Sequence, residues 1–283
     1  MQLVETITEL RTRVARRRAS GPVGLVPTMG ALHDGHLSLI RHARRDCATI
    51  VVSVFVNPIQ FDRPEDLERY PRSLDADVEL CRELGVDIVF APTVPAMYPA
   101  PLECKVDVGR LADHLCGRHR PGHFSGVASV VLKLFQIVQP DKAYFGEKDA
   151  QQLAVIRRLV SDFNVPVAIV GVPTVREADG LALSSRNQRL SPEERQLAPA
   201  LYRALRHVSD AVAAGVTDVA ELTRRGVEHV GPDDRLKLEY LEIVDPDDFQ
   251  PVERVAGPVV VAGALWVGST RLIDNLRCTP GVS

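Results

Sequence analysis

The sequence predicts an α/β protein: a Rossmann-like, doubly wound parallel sheet followed by a smaller C-terminal α+β domain. Over roughly the first 175 residues, short and almost continuously apolar runs alternate with helical patterns. This alternation is expected when helices cover both faces of a parallel sheet. Beyond the segment LSSRNQRLSP the pattern changes to two helices and then three strands. We therefore place the domains at residues 1–174 and 175–283.

Each element follows from its own pattern. Leu3, Ile7, Leu10 and Val14 recur at helical spacing, which predicts an amphipathic first helix. The apolar runs that predict strands of the first domain lie at 23–27, 49–56, 86–92, 142–146 and 166–173. The helical patterns between them lie at 37–47, 75–84, 124–138 and 149–163. In the second domain we expect helices at about 192–214 and 217–230, and strands at 236–244, 259–268 and 271–277.

Composition limits the classes of function. The chain is 45% hydrophobic and 25% charged with a net charge of −3, which gives no footprint for nucleic acid or an anionic membrane. No run approaches the ~20 apolar residues that cross a bilayer, and the N-terminus has no apolar signal core. The five cysteines are scattered and odd in number, so we expect reduced thiols in a cytoplasmic protein.

The segment PTMGALHDGHLSLI carries the strongest chemical signal. A predicted strand runs through a turn at Gly30 into His33, Asp34, Gly35 and His36, and then into an amphipathic helix. Unpaired N–H groups at a helix start favour an anion, Gly35 allows close approach, and imidazoles can donate to phosphate oxygens. Three-residue spacing brings both rings to one side if the helix has begun by His33. We favour phosphate contact; a zinc pair, usually spaced i, i+4, and a structural role remain open.

Two further segments place polar side chains at the carboxyl ends of predicted strands, where α/β sheets bind ligands. FVNPIQF presents Asn57 and Gln60, whose amides can hold a small hydroxy acid, although an Asn-Pro pair alone usually indicates a turn. GEKDAQQ combines Gly146, a mobile cation at Lys148 and an acceptor for hydroxyl groups at Asp149. Elsewhere such a Lys-Asp pair would be a surface pair.

The loop LSSRN (183–187) supplies two hydroxyls and the guanidinium of Arg186, which can bind polyphosphate oxygens in bidentate fashion. A second group of metal-type side chains consists of Asp113, His114, Cys116, His119 and His123. Its spacings match no common closed zinc site. We therefore expect Arg120 and His123 to line the acid-binding side instead.

The HxGH segment is the signature of the superfamily of nucleotidyltransferases and class I aminoacyl-tRNA synthetases. Within it, MGALHDGHL resembles the pantothenate synthetase family, as do FVNPIQF, RPGHFSGV, YFGEKDAQQ and READGLALSSRN, in order, over about 165 residues. LSSRN is similar to the KMSKS loop of the superfamily. The chain departs from the family pattern at Leu183, Ile59 and Asp34, where methionine, threonine and glutamate are usual. None of these changes removes a chemical group that the interpretation needs.

The resemblance implies an ATP-dependent ligase that joins (R)-pantoate to β-alanine through a pantoyl-adenylate, and a homodimer formed through the N-terminal domain. The implied catalytic residues are His33, His36, Lys148, Ser184, Ser185 and Arg186, with His36 as proton donor. The implied ATP-binding residues are Met29, Gly30, His33, Gly35, His36, Gly146, Glu147, Lys148, Asp149, Val175, Leu183, Ser184, Ser185 and Arg186. Pantoate would contact Asn57, Gln60 and Gln152, and β-alanine would contact Gln60.

We also expect a metal ion bound with ATP and a lid over the site, and two alternative functions remain open. Mg²⁺ would accompany ATP and need few protein ligands, with Asp75 and Asp77 as candidates. The C-terminal domain would act as a lid, and the apolar stretch around Phe55 would shield the mixed anhydride from water. Two alternatives remain open: a nucleotidyltransferase that leaves the nucleotide on a phosphorylated small molecule, and an inactive nucleotide-binding regulator.

Overall fold

A computed structural model describes residues 1–281, so residues 282–283 of the predicted second domain lie outside the described part. The chain forms two compact units. The first consists of Met1–Val108, Arg120–Glu147 and Val155–Pro173, and the second of Gly109–His119, Lys148–Ala154 and Thr174–Ser283. The domain boundary between residues 174 and 175 stays a prediction. The compact units differ from it because Gly109–His119 and Lys148–Ala154 belong to the second unit.

The first unit is built on a parallel sheet. Its strands are β1 (Gln2–Val4), β2 (Val23–Thr28), β3 (Thr49–Val54), β4 (Ile88–Phe90), β5 (Lys142–Gly146) and β6 (Ala168–Val172). They pair in the order β1-β4-β3-β2-β5-β6, all parallel. The helices up to β6 are α1 (Ile7–Arg17), α2 (Asp34–Asp46), α3 (Pro64–Glu68), α4 (Leu74–Glu83), α5 (Val94–Met97), α6 (Leu115–His119), α7 (His123–Val138) and α8 (Ala150–Asp162). Of these, α6 and the first residues of α8 belong to the second unit.

Both faces of this sheet are covered. Leu25 and Val26 are neighbours on β2 and point to opposite faces, yet both are completely buried. The face that Val26 shares packs against α2, whose Ile40 and Ala43 belong to the same apolar cluster. Burial of both faces is typical of parallel sheets flanked by helices, and the predicted fold class is confirmed.

The strand order creates a switch point beside β2. From β2 the chain passes through α2 to β3 on one side, and it later returns to the other side of β2 as β5. In doubly wound sheets, ligands bind in the crevice at the carboxyl ends of the strands where the order reverses. The segments that follow β2 and β5, which carry the HxGH and GEKD motifs, therefore begin at this crevice.

The second unit contains a small antiparallel sheet. Its helices are α9 (Pro192–Leu197), α10 (Ala200–Ala213) and α11 (Val219–Val230), and its strands are β7 (Leu236–Val244), β8 (Val259–Val267) and β9 (Thr270–Cys278). The strands pair in the order β7-β8-β9. Leu201 and Leu205 of α10 pack with Val261 and Leu265 of β8 in one buried core. Within the described range, none of the helices has both the length and the apolar character needed to cross a membrane.

Two local predictions were wrong. Leu3 lies in strand β1, where it pairs with Val89, and the first helix begins only at Ile7 after the cap at Thr6. Such long-range pairing leaves no periodic signal in a three-residue segment. The predicted single helix at 192–214 is two helices separated near Pro199, because proline has no N–H to continue the hydrogen-bond pattern.

Candidate functional site

His33 and His36 meet at the start of α2. The helix begins at Asp34, and His33 is its extended N-cap residue (φ −139°, ψ 173°). His33 Nδ1 accepts the N–H of Gly35 at 3.2 Å, and His36 Nδ1 accepts the N–H of His33 at 3.4 Å. Because these nitrogens accept, the neutral form of each ring carries its proton on Nε2. The ring centroids are 4.1 Å apart, so the predicted pairing arises from reciprocal capping rather than from helical spacing.

The turn before these histidines is held by Asp77 of α4. Asp77 Oδ2 accepts the N–H of Ala31 at 2.9 Å, and Oδ1 accepts the N–H of Leu32 at 2.7 Å. The turn needs such support because Gly30 and Ala31 both have positive φ, at 84° and 49°. Asp77 therefore fixes the backbone that leads into the HxGH segment.

The role of Asp77 as a magnesium ligand stays a prediction. The residue is only 1% exposed and each side-chain oxygen already accepts a backbone hydrogen bond, so its contacts in the structure are those of a turn anchor. Asp75 is exposed on α4. Within residues 1–281, no group of three or more His, Cys, Asp or Glu side chains is arranged to hold a metal ion.

Asn57 and Gln60 form a buried amide pair after β3. Asn57, 1% exposed, donates through Nδ2 to Gln60 Oε1 at 2.9 Å and to the carbonyl of Gly126 at 3.3 Å. Its Oδ1 accepts the hydroxyl of Tyr98 at 2.8 Å, and burial raises the pKa of Tyr98 to about 12, which keeps that donor protonated. Gln60 Nε2 lies 3.2 Å from Met29 Sδ. Asn57 thus sets the orientation of Gln60, and its own amide is used within the protein.

Arg120 and His123 support the same segment from the backbone side. His123 Nδ1 donates to the carbonyl of Gln60 at 2.8 Å, and its Nε2 therefore accepts from Arg120 Nη1 at 3.1 Å. Arg120 also binds Asp62, through Nε to Oδ1 at 2.9 Å. Burial alone would raise the pKa of Asp62, but the charge and hydrogen bond of Arg120 outweigh it and lower that pKa. The two residues predicted to face the acid hold the backbone of Gln60.

In the second unit, Lys148, Ser184 and Arg186 line one pocket together with Tyr202 and Asp274. Ser184 caps the short 3₁₀ turn Ser185–Arg189, with its Oγ accepting the N–H of Arg186 at 3.3 Å. The pocket is also lined by Arg271, and ammonium, guanidinium and hydroxyl groups are the kinds of group that bind phosphate oxygens.

Strand β9 holds both parts of this cavity. Arg176 forms a bidentate pair with Asp274, through Nη1 to Oδ2 at 2.5 Å and Nη2 to Oδ1 at 2.9 Å. Asn275 Nδ2 donates to the backbone carbonyl of Lys148 at 2.8 Å. Asp274 and Asn275 were not among the predicted site residues. Their only signal in the sequence is an acid and an amide side by side in the middle of the predicted strand RLIDNLR.

The predicted site residues divide between the units. The first unit carries Met29, Gly30, His33, Gly35, His36, Asn57, Gln60, Asp77, Gly146 and Glu147. The second unit carries Lys148, Asp149, Gln152, Val175, Leu183, Ser184, Ser185 and Arg186. Of the second set, Asp149 Oδ1 lies 3.7 Å from Lys148 Nζ, and Leu183 donates its N–H to the carbonyl of Val175 at 3.0 Å. Gln152 is half-buried on α8 and lies outside the cavity lining.

In the second group of metal-type side chains, Cys116, His119 and His114 contact residues of strand β7. The thiol of Cys116 lies 3.2 Å from the hydroxyl of Tyr240, and the ring of His119 stacks on Tyr240 with centroids 5.4 Å apart. His114 Nδ1 lies 3.9 Å from a carboxylate oxygen of Glu242. These side chains have structural partners of their own within the second unit.

Comparison with known proteins identifies the relatives of this chain. A family model described as pantoate–β-alanine ligase matches residues 2–277. The pantothenate synthetase of Moorella thermoacetica is 52% identical over 277 residues, which are 98% of this chain and 98% of that protein. A solved pantothenate synthetase from Thermus thermophilus has 50% identity and a TM-score of 0.94, with 99% of this chain and 100% of that chain covered. A pantoate–β-alanine ligase from Francisella tularensis, solved in complex with β-γ ATP and β-alanine, has 35% identity, a TM-score of 0.81 and coverage of 98% and 97%. The resemblance in the sequence is confirmed, and the chain belongs to the pantoate–β-alanine ligase family.

Proposed function

We propose that this chain condenses (R)-pantoate with β-alanine at the expense of ATP, giving pantothenate, AMP and pyrophosphate. Membership of the ligase family along residues 2–277 supports the reaction class. The Francisella tularensis relative, solved with β-γ ATP and β-alanine, supports the nucleotide and the amine. The observation that carries the chemistry is the pair of imidazole rings at the start of α2, each held through Nδ1, at the switch point of the sheet.

The first half-reaction activates the acid. A pantoate carboxylate oxygen attacks the α-phosphorus of ATP, the bond to the β-phosphate oxygen breaks, and pyrophosphate leaves. Negative charge grows on the α-phosphate oxygens as this happens. The Nε2–H groups of His33 and His36, together with the N-terminus of α2, are suited to stabilise that charge. We assign His36 as the proton donor.

The departing pyrophosphate needs its own cations. Lys148, Ser184 and Arg186 around one cavity are suited to this, and we include Ser185 among the catalytic residues. Binding of the nucleotide by Met29, Gly30, Gly35 and the segments 146–149, 175 and 183 remains part of the proposal.

The second half-reaction forms the amide. The β-alanine amine attacks the carbonyl carbon of the pantoyl-adenylate, and AMP leaves with the bridging oxygen. Gln60, oriented by Asn57, would hold the pantoate hydroxyl and then the incoming amine, with Gln152 on the acid as well. Phe55 is 6% exposed and lies near Tyr98, with ring centroids 6.1 Å apart, so this side of the amide pair is apolar. Such an environment slows hydrolysis of the mixed anhydride.

Mg²⁺ would bind together with ATP and neutralise charge on the phosphates. The described residues offer no carboxylate cluster for it, so no step is assigned to a protein-bound metal. A cytoplasmic homodimer and closure of the second unit as a lid complete the proposal. The cytoplasmic location rests on the scattered cysteines, and the homodimer rests on the family resemblance.

Product analysis tests the proposal against its nearest rival. Incubation with ATP, pantoate and β-alanine should yield pantothenate and AMP in equal amounts, and omission of the amine should stop turnover. A nucleotidyltransferase would instead transfer the nucleotide onto a phosphate ester without any amine. An inactive regulator would bind ATP and release no AMP.

A further inference from the structure

Asn275 makes a contact that the proposed mechanism has not used. From the middle of β9, its Nδ2 donates to the main-chain carbonyl of Lys148 at 2.8 Å. Lys148 lines the pocket of the second unit together with Ser184 and Arg186, where we propose that the pyrophosphate binds. The amide of Asn275 therefore holds the backbone from which the lysine side chain projects.

The neighbouring residue holds the other half of the cavity. Asp274 is 6% exposed and binds the guanidinium of Arg176 through two hydrogen bonds. Arg176 also donates to the carbonyl of Gly180 at 3.1 Å and pairs with Ala182, so it fixes the hairpin that leads into Ser184. The two residues are coupled, because the N–H of Asn275 donates to Asp274 Oδ1 at 2.8 Å.

We infer that Asn275 is a positioning residue for the adenylation half-reaction, acting through Lys148. The inference rests on the proposed function and extends it to a residue that contacts no substrate. A lysine side chain is long and flexible, so the place of its ammonium group depends on where its backbone is held. Asn275 and Asp274 together set the spacing between the lysine and the segment that carries Ser184 and Arg186.

The expected effect is confined to one half-reaction. Loss of one hydrogen bond corresponds to about a tenfold change in rate, and a displaced catalytic group can cost about 100-fold. Lys148 serves the departing pyrophosphate, which has already left when the amine attacks. Substitution of Asn275 should therefore slow adenylation by about 10- to 100-fold and leave amide formation nearly unchanged.

The test uses Asn275→Ala and the isosteric Asn275→Asp, which keeps the shape but removes the N–H donor. Adenylation is measured as pantoate-dependent exchange of labelled pyrophosphate into ATP. Amide formation is measured with supplied pantoyl-adenylate and β-alanine on the same preparations. Both variants should lose exchange by about 10- to 100-fold and keep amide formation within about threefold. In a Lys148→Ala background, Asn275→Ala should add no further loss.

A matched control removes a similar bond elsewhere in the same unit. Gln250 Nε2 donates to the carbonyl of Arg110 at 2.9 Å, and Gln250→Ala should leave both half-reactions unchanged. Normal exchange in the Asn275 variants would overturn the inference, as would equal losses in both half-reactions or an additive loss in the double variant. A wild-type protein with no pantoate-dependent exchange would instead contradict the proposed function itself.

Discussion

The rings of His33 and His36 are held side by side by the backbone at the start of α2, because His33 Nδ1 accepts the N–H of Gly35 and His36 Nδ1 accepts the N–H of His33. In each imidazole, Nδ1 therefore caps the helix start, whereas Nε2 is the atom that we propose donates to the phosphate. A substitution that mimics one of these nitrogens only should therefore separate stability from activity.

His36→Asn and His36→Gln test this division. The asparagine amide reaches about as far as Nδ1 and can keep the cap, whereas the glutamine amide reaches about as far as Nε2 and can keep the donor. We expect His36→Asn to fold normally and to lose adenylation by about 10²- to 10³-fold, with a smaller loss in His36→Gln. Pyrophosphate exchange and thermal unfolding measure the two properties. His207→Asn, on the exposed face of α10, is the control, and equal exchange rates in the two His36 variants would refute the division.

Gly30→Ala should destabilise the protein by more than positive φ alone explains. Gly30 has φ 84°, and an added Cβ would lie 2.9 Å from Asp77 Oδ2 and 3.0 Å from Val54 Cγ1. Gly85→Ala is the matched control, since Gly85 has φ 70° but nothing within 4 Å of an added Cβ. We expect a loss of about 1 kcal/mol at Gly85 and about 2–4 kcal/mol at Gly30, measured by urea unfolding. Equal losses would show that the turn can move away from Asp77.

Asp77→Asn distinguishes a turn anchor from a metal ligand. In the anchor role, an amide nitrogen would face a backbone N–H and leave it unsatisfied, at a cost of about 1–3 kcal/mol without any metal present. A metal ligand would give the opposite sign, since removal of a carboxylate from an empty cation site relieves repulsion. Unfolding in EDTA measures the difference, with exposed Asp75→Asn as the control. A stabilised Asp77→Asn protein would support the metal role instead.

The Asp62–Arg120 pair should make stability depend on pH in the acid range. The pKa of Asp62 is lowered in the folded protein from a reference value of 3.8. Its contribution is therefore complete above that reference value and is lost as pH falls through the lower folded pKa. Wild type should exceed Asp62→Asn in stability at pH 6, and the difference should shrink towards pH 2 to 3. Urea unfolding across this range checks it, and a difference that grows in acid would contradict the assignment.

Tyr98→Phe tests the support of the amide pair. The substitution removes the hydroxyl that donates to Asn57 Oδ1 and leaves that buried oxygen without this donor. We expect a loss of about 1–3 kcal/mol in stability and a raised KM for pantoate, because Asn57 no longer fixes Gln60. Steady-state kinetics and urea unfolding measure both effects. An unchanged KM together with lower stability would show that Tyr98 stabilises the fold but does not affect the binding of pantoate.

The sequence predicted what local patterns encode. Apolar runs located β2, β3 and β5, and a glycine turn before two histidines located the start of α2. Long-range contacts were missed, because no spacing within one segment reports them. Leu3 needs Val89 to become a strand, Asp77 holds a turn 46 residues before it, and Asn275 holds Lys148 from 127 residues away.

Transfer of an oxygen atom from pantoate to AMP tests whether pantoate is activated as an acyl-adenylate. Pantoate labelled with ¹⁸O in its carboxylate should be turned over with ATP and β-alanine, and the products should be analysed by mass spectrometry. Because a carboxylate oxygen becomes the bridge to the α-phosphorus, the account predicts one labelled oxygen in AMP for each pantothenate formed. Unlabelled AMP, or label in inorganic phosphate beside ADP, would contradict it.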